Sequence, residues 1–136
     1  MEIKEISDLE KALENSWCKE TSSYHSDWSN ENNTCGQCAP NSLIVNDYFG
    51  GEIVSSMVVV PDGKMISHYF NIIGGKEIDL TRKQFPKGSE IPQGVQKKKN
   101  FKSTRDYLLS IPSVVNRYKL LKQKVQDYLD KRAQVL

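Results

Sequence analysis

The stretch "GGEIVSSMVVVPDGKMISHYFNIIGGKEIDLT", residues 50–81, constrains the fold of this chain more than any other segment. Three apolar, β-branched runs are separated by two turn signals, Pro61-Asp62-Gly63 and Gly74-Gly75. Runs of this composition between such punctuation form strands, and a two-residue Gly-Gly connection forms a hairpin. The segment predicts an antiparallel meander of three strands, the third over "KEIDLT". A two-residue turn also sets the register. With Gly74-Gly75 as the turn, Ile73 faces Lys76, Phe70 faces Asp79, and His68 becomes the diagonal neighbour of Asp79 on the same face. Diagonal Cβ atoms lie about 7–8 Å apart, a gap that two polar side chains can span. Asn71 falls on the opposite face and is the poorer partner, and a one-residue slip would exchange the two roles.

Helical patterns flank the meander. Leu9, Leu13 and Trp17 recur at helical spacing, and Ser7-Asp8-Leu9-Glu10 has the spacing of a capping box, so a helix is expected over 8–16. The run from Ala39 ends at Gly50-Gly51 and carries Pro40 in its first turn, which predicts a helix over 39–48 with Cys38 at its N-terminus. Ser103 is placed to cap a helical turn through Leu109. Pro112 opens a long helix on which Val114, Tyr118, Leu121, Val125, Tyr128 and Leu129 form one apolar stripe. Residues 19–34 are polar and without period, a loop of a length that is usually functional or mobile. The chain of 136 residues therefore reads as one α+β domain, with a core over 8–85, a polar loop over 86–102 and a C-terminal helical region over 103–136.

Apolar content of 38% and charged content of 26% are ordinary for a soluble globular protein, and no run approaches the roughly 18 apolar residues of a membrane span. The acidic N-terminal stretch lacks a signal pattern, and three cysteines do not make a secreted disulfide framework, so a cytoplasmic protein is expected. The net charge of +2 hides an asymmetry: residues 1–96 carry 8 basic and 14 acidic side chains, residues 97–136 carry 11 and 3. A basic tail without interleaved aromatics is expected to pack against the acidic body, not to bind nucleic acid. The glycine pairs punctuate elements and form no phosphate loop, so neither nucleotide nor other cofactor is expected.

The chemistry centres on "NTCGQCAPNS", residues 33–42. A thiol at a helix N-terminus sits where free N–H groups and the helix dipole favour an anion, which makes a better nucleophile. Such a nucleophile needs a base and a group that orients the base. Of the two histidines, His25 lies in the polar loop, whereas His68 lies on the central strand, diagonal to Asp79. The constellation is then a thiol at a helix start, an imidazole on a strand and a carboxylate on the next.

"GQCAPNS" and "HYFNIIGGKEIDLT" resemble the corresponding segments of the papain-like superfamily, in particular its small transglutaminase-like branch. That resemblance implies a papain-like core, Cys38 as nucleophile, His68 as base and Asp79 as orienter. Papain proteases place an oxyanion glutamine six residues before the cysteine. Here that position is Asn32, while Gln37 is adjacent to Cys38, so the oxyanion donor is unassigned and both are candidates. The chain is also similar to the YunG-like family of small bacterial proteins, through "SWCKETS", Trp28, "GQC", "DYFGGEI", "HYFN", "EIDLTRKQF" and "NRYKLLKQKV" in the same order. That family carries no implied activity.

Other readings stand beside this one. Cys38 alone fits a buried core residue, and Asp79 fits a cap on the "LTRKQ" turn. Trp17 and Trp28 flank the polar loop as pocket walls or as its anchors. Cys35-x-x-Cys38 lacks the preceding apolar strand of a thioredoxin-like site, but Cys35 can protect Cys38 through a reversible disulfide. A zinc site requires Cys18, His25, Cys35 and Cys38 to converge, since no second ligand pair follows. The expected function is cysteine-dependent acyl transfer on a small amide, acyl compound or peptide. The alternative is a non-enzymatic binding module that keeps the fold.

Overall fold

The structure is a computed structural model that describes residues 3–135. It is an α+β arrangement of seven main elements in the order α1 (Ile6–Glu14), α2 (Cys38–Phe49), β1 (Glu52–Val59), β2 (Met65–Ile73), β3 (Lys76–Ile78), α3 (Thr104–Leu109) and α4 (Pro112–Val135). The three strands form one antiparallel sheet in the order β1-β2-β3. Its register is the one that the Gly-Gly turn dictates, with Ile73 opposite Lys76, Ile72 opposite Glu77 and Asn71 opposite Ile78. β3 is shorter than expected: the ladder ends at Ile78, and Asp79 stands just beyond it.

α1 begins two residues before its expected start. The Asp8 carboxylate accepts the backbone N–H groups of Lys4 and Glu5 at 3.1 and 2.9 Å. Glu5 and Asp8 thereby form a reciprocal capping box, which starts the helix at Ile6 in place of the box expected at Ser7. Cys38 is the first residue of α2, and Gly50 ends that helix at φ +70°, a conformation that only glycine adopts without strain. Ser103 caps α3 as expected, its Oγ accepting the Asp106 N–H at 3.1 Å.

The helices bury their apolar faces in two clusters. One joins Leu9, Ala12, Leu13 and Trp17 to Ile44 and Val45 of α2 and to Leu121, Val125 and Leu129 of α4. The other joins Ala39 and Leu43 to Ile53, Leu108 and Val114. Tyr118 packs against both. Each fully buried aliphatic side chain contributes roughly 1.5–3 kcal/mol, so α4 is an integral part of the core. Part of the basic C-terminal region does meet the acidic body: Asp47 at the end of α2 pairs with Arg105 at 2.7 Å and Lys122 at 3.6 Å. Among the described residues no helix is long and apolar enough to cross a membrane.

The polar segment 86–102 is tied to the sheet. Ser55 exchanges backbone hydrogen bonds with Val95, and Val59 with Glu90, at 2.8–2.9 Å. These bridges cover the outer edge of β1, which would otherwise present unpaired backbone groups. Gly94 lies where no side chain fits, since a Cβ there would stand 2.4 Å from Val54 Cγ2 and 2.6 Å from Phe70 Cζ.

Candidate active site

His68 is the best-defined polar group of the interior. It is completely buried on β2, and its Nε2 lies 2.8 Å from Asp79 Oδ2. A carboxylate oxygen only accepts, so Nε2 carries the proton and donates. The hairpin register places the two groups diagonally, and the exit of the chain from β3 brings the carboxylate inward. Two rings enclose the imidazole: Phe70 stacks on it at 5.6 Å and Phe85 meets it edge-on at 4.9 Å. His68 Nδ1 is buried and without a hydrogen-bond partner, on an imidazole near enough to Cys38 for the thiol to act on its protonation.

Burial by itself would lower the His68 pKa. The hydrogen bond that His68 donates to Asp79, the neighbouring Cys38 and the charge on each outweigh it and raise the value to about 9. The site therefore holds an imidazolium at neutral pH, with one N–H committed to Asp79. Asp79 is itself nearly buried, and its Oδ2 also accepts from Arg82 Nε at 3.0 Å. The cap role open to Asp79 is not taken: the 3-10 turn Arg82–Gln84 has Thr81 at its N-cap and no side-chain capping bond.

The other sequence candidates divide. Gln37 is fully buried and both ends of its amide are engaged: Thr21 Oγ1 donates to its Oε1 at 2.8 Å, and its Nε2 donates to the Cys18 carbonyl at 2.9 Å. It pins the 3-10 turn Lys19–Thr21 beneath the start of α2 and is not poised as an oxyanion donor. Trp17 belongs to the core, its Nε1 donating to Asn41 Oδ1 at 3.2 Å, so it is no pocket wall. Trp28 anchors the loop by donating to the Asn33 carbonyl at 2.8 Å. Asn71 donates to the Ser42 carbonyl at 3.0 Å and fastens β2 to α2. Asn32 takes part in a loop turn through its backbone, donating to Ser29 and accepting from Cys35.

All three cysteines are free thiols. Burial, then Asp27 and Cys38, push the Cys35 thiol above its ordinary range, which makes it a poor nucleophile at neutral pH. Among the described residues no group of three or more His, Cys, Asp or Glu side chains gathers as a metal ion would require. The zinc reading is corrected accordingly: Cys18, His25, Cys35 and Cys38 do not converge.

Three neighbours escaped the sequence reading. Arg82 lies three residues after Asp79, an ion-pair spacing that was there to be seen. Phe85 gave no signal, because its contact with His68 depends on how the chain folds back after β3. Gln84 links the two halves of the site: its Oε1 accepts the Gly36 N–H at 3.2 Å, while its Nε2 donates to the Thr81 carbonyl at 3.0 Å. The loop leading into Cys38 is thus fastened to the segment that carries Asp79.

Fold and site together define a small α+β protein in which a helix-start cysteine neighbours a buried histidine–aspartate pair. The family model described as YunG protein matches residues 5–130, and the chain belongs to that family. A relative from Bacillus subtilis (strain 168), described as uncharacterized protein YunG, is 37% identical over 73 residues, which is 54% of this chain and 56% of that protein. The match thus spans about half the length of this curated relative. No solved structure matches the chain.

Proposed function

We propose that the protein is a cysteine-dependent acyl-transfer enzyme with a papain-like or transglutaminase-like arrangement, in which Cys38 is the nucleophile, His68 the general acid and base, and Asp79 its orienter. The observation that carries this reading is the buried imidazole whose Nε2 is held by Asp79 at 2.8 Å while Nδ1 is left without a partner beside a thiol. A buried polar atom without a partner costs roughly 1–3 kcal/mol. Such a cost at a Cys–His–Asp cluster fits a position reserved for a moving proton better than a packing role.

The chemistry follows from these groups. Cys38 Sγ, as thiolate, attacks the acyl carbon and a C–S bond forms. The C–N bond then breaks as the leaving amine takes the proton from His68 Nδ1. Neutral His68 next takes a proton from water, or from a second amine, as that nucleophile attacks the thioester; the C–S bond breaks and its electron pair returns to Cys38 as thiolate. Hydrolysis and transamidation differ only in that second nucleophile. The N–H groups of Cys38 and Ala39 have no carbonyl one turn earlier in the helix to donate to, and Pro40 has no N–H at all. These two donors are the candidates for the oxyanion.

The test is the rate of alkylation of Cys38 by iodoacetamide between pH 5 and 9, followed by peptide mapping so that Cys18 and Cys35 are read separately. Rapid reaction of Cys38 well below the ordinary thiol range near pH 8.5, slowed at least about tenfold in both His68→Gln and Asp79→Asn, is the expected result. A Cys38 that titrates like an unperturbed thiol and ignores both variants would leave a binding module as the better reading.

A further inference from the structure

Arg117 on α4 has no role in the fold that explains where it sits. Of the four arginines in the chain, Arg82 and Arg105 pair with Asp79 and Asp47, and Arg132 lies over the Tyr128 ring at 5.5 Å. Arg117 is half-buried, its Nε is sealed from solvent without an acceptor, and no carboxylate among the described residues pairs with it. Leaving a guanidinium partly desolvated and unpaired is costly. Burial accordingly pulls its pKa below the usual value, and the opposing influence comes from Cys38.

Packing explains that proximity. Val114 and Tyr118, which flank Arg117 on the inward stripe of α4, pack in the cluster that contains Ala39, the residue after Cys38. α4 also packs against the 3-10 turn Lys19–Thr21, which Gln37 ties to the start of α2. Arg117 therefore lies on the face of α4 that is turned towards the first turn of the cysteine helix.

We infer that Arg117 is a specificity-determining residue, which receives a carboxylate of the substrate close to the acyl group that Cys38 attacks. This deepens the acyl-transfer reading and rests on it. A planar guanidinium matches a carboxylate in a two-pronged geometry that a lysine does not reproduce. The transient oxyanion already has backbone donors at the helix start, so the fixed charge is free for a standing anion. The substrate class is an amide or related acyl compound that carries a carboxylate within a few bonds of the reacting carbon, such as an N-acyl amino acid or a peptide end.

Two alkylating reagents test this without knowledge of the substrate. Iodoacetate and iodoacetamide form the same C–S bond with loss of iodide, and differ in a carboxylate against a neutral amide. Their rates at Cys38 are measured on the native chain and on the same chain unfolded in urea, which supplies the reference ratio. The folded protein is expected to favour iodoacetate at least about fivefold more than the unfolded chain does, as for a partly desolvated charge pair. Arg117→Gln should abolish that preference and Arg117→Lys retain part of it. Equal ratios in folded and unfolded wild type, a measurement that needs no variant to fold, would overturn the inference. So would an Arg117→Gln protein in which both reagents slow by the same factor. Failure of the underlying Cys–His reading shows separately, as iodoacetamide alkylation that His68→Gln leaves unchanged.

Discussion

The charge on His68 makes stability fall with rising pH, and the size of the effect can be worked out. The imidazole is raised from an ordinary 6.5 to about 9 in the folded protein and is completely buried. A folded-state pKa above the unfolded one means that the native state holds the proton more tightly. The stabilisation is complete below about pH 6.5 and is lost as pH rises through about 9. Each tenfold difference in proton affinity is worth ~1.4 kcal/mol, so the whole contribution is about 3 kcal/mol. Within the window the slope is one proton, ~1.4 kcal/mol per pH unit. The assay is urea unfolding of wild type and His68→Gln at intervals from pH 6 to 10. Tyrosines, lysines, Cys18 and Cys35 titrate in the same range, but groups that are not coupled to His68 cancel in the difference between the two proteins; Cys38 is coupled to it and is controlled by its own variant. That difference should shrink by about 3 kcal/mol across the window. Cys38→Ser should narrow the window from its upper end, because Cys38 is one of the groups that raise the value. The opposing force is burial, and it supplies the refutation. If burial won, His68 would be neutral when folded, and the wild-type advantage would stay flat or grow with pH.

Two further substitutions probe the scaffold that holds the site. Gly94→Ala pushes a methyl group to within 2.6 Å of Phe70, the ring stacked on His68; overpacking of this kind should destabilise by about 1–3 kcal/mol in urea unfolding, and a change under ~0.5 kcal/mol would show that the covering segment yields freely. Gln37→Leu removes two buried hydrogen bonds while Thr21 still serves the Cys18 carbonyl, so it should cost about 1–3 kcal/mol. An unchanged unfolding midpoint would place the Lys19–Thr21 turn outside the cooperative core.

The pairing of His68 with Asp79 was legible because everything it depends on is local. Two glycines set a hairpin, the hairpin sets a register of period two, and the register decides which side chains meet. The start of α2 was equally legible from Pro40 and the Gly50-Gly51 stop, and it put Cys38 at a helix terminus. The start of α1 lies two residues before the expected one, since two capping boxes, Glu5–Asp8 and Ser7–Glu10, compete within one turn and only the realised geometry separates them. Trp17 and Gln37 carried chemical suggestions as isolated letters that vanished once their neighbours were known. Trp17 is packed with aliphatic residues from three helices, and the Gln37 amide is spent on the Thr21 hydroxyl and the Cys18 carbonyl.

The sequence by itself determined the α+β class, the meander and its register, the cysteine at a helix start and the histidine–aspartate diagonal. These follow from backbone sterics and from the alternation of side chains along short stretches of chain. Only the tertiary structure decided that Gln84 fastens the cysteine loop to the aspartate segment from 48 residues away, that Phe85 closes over the imidazole, and that Arg117 faces the start of α2 with no carboxylate partner among the described residues. Contacts of that kind depend on the angles at which helices and loops pack over the sheet, and no periodicity along the chain encodes those angles.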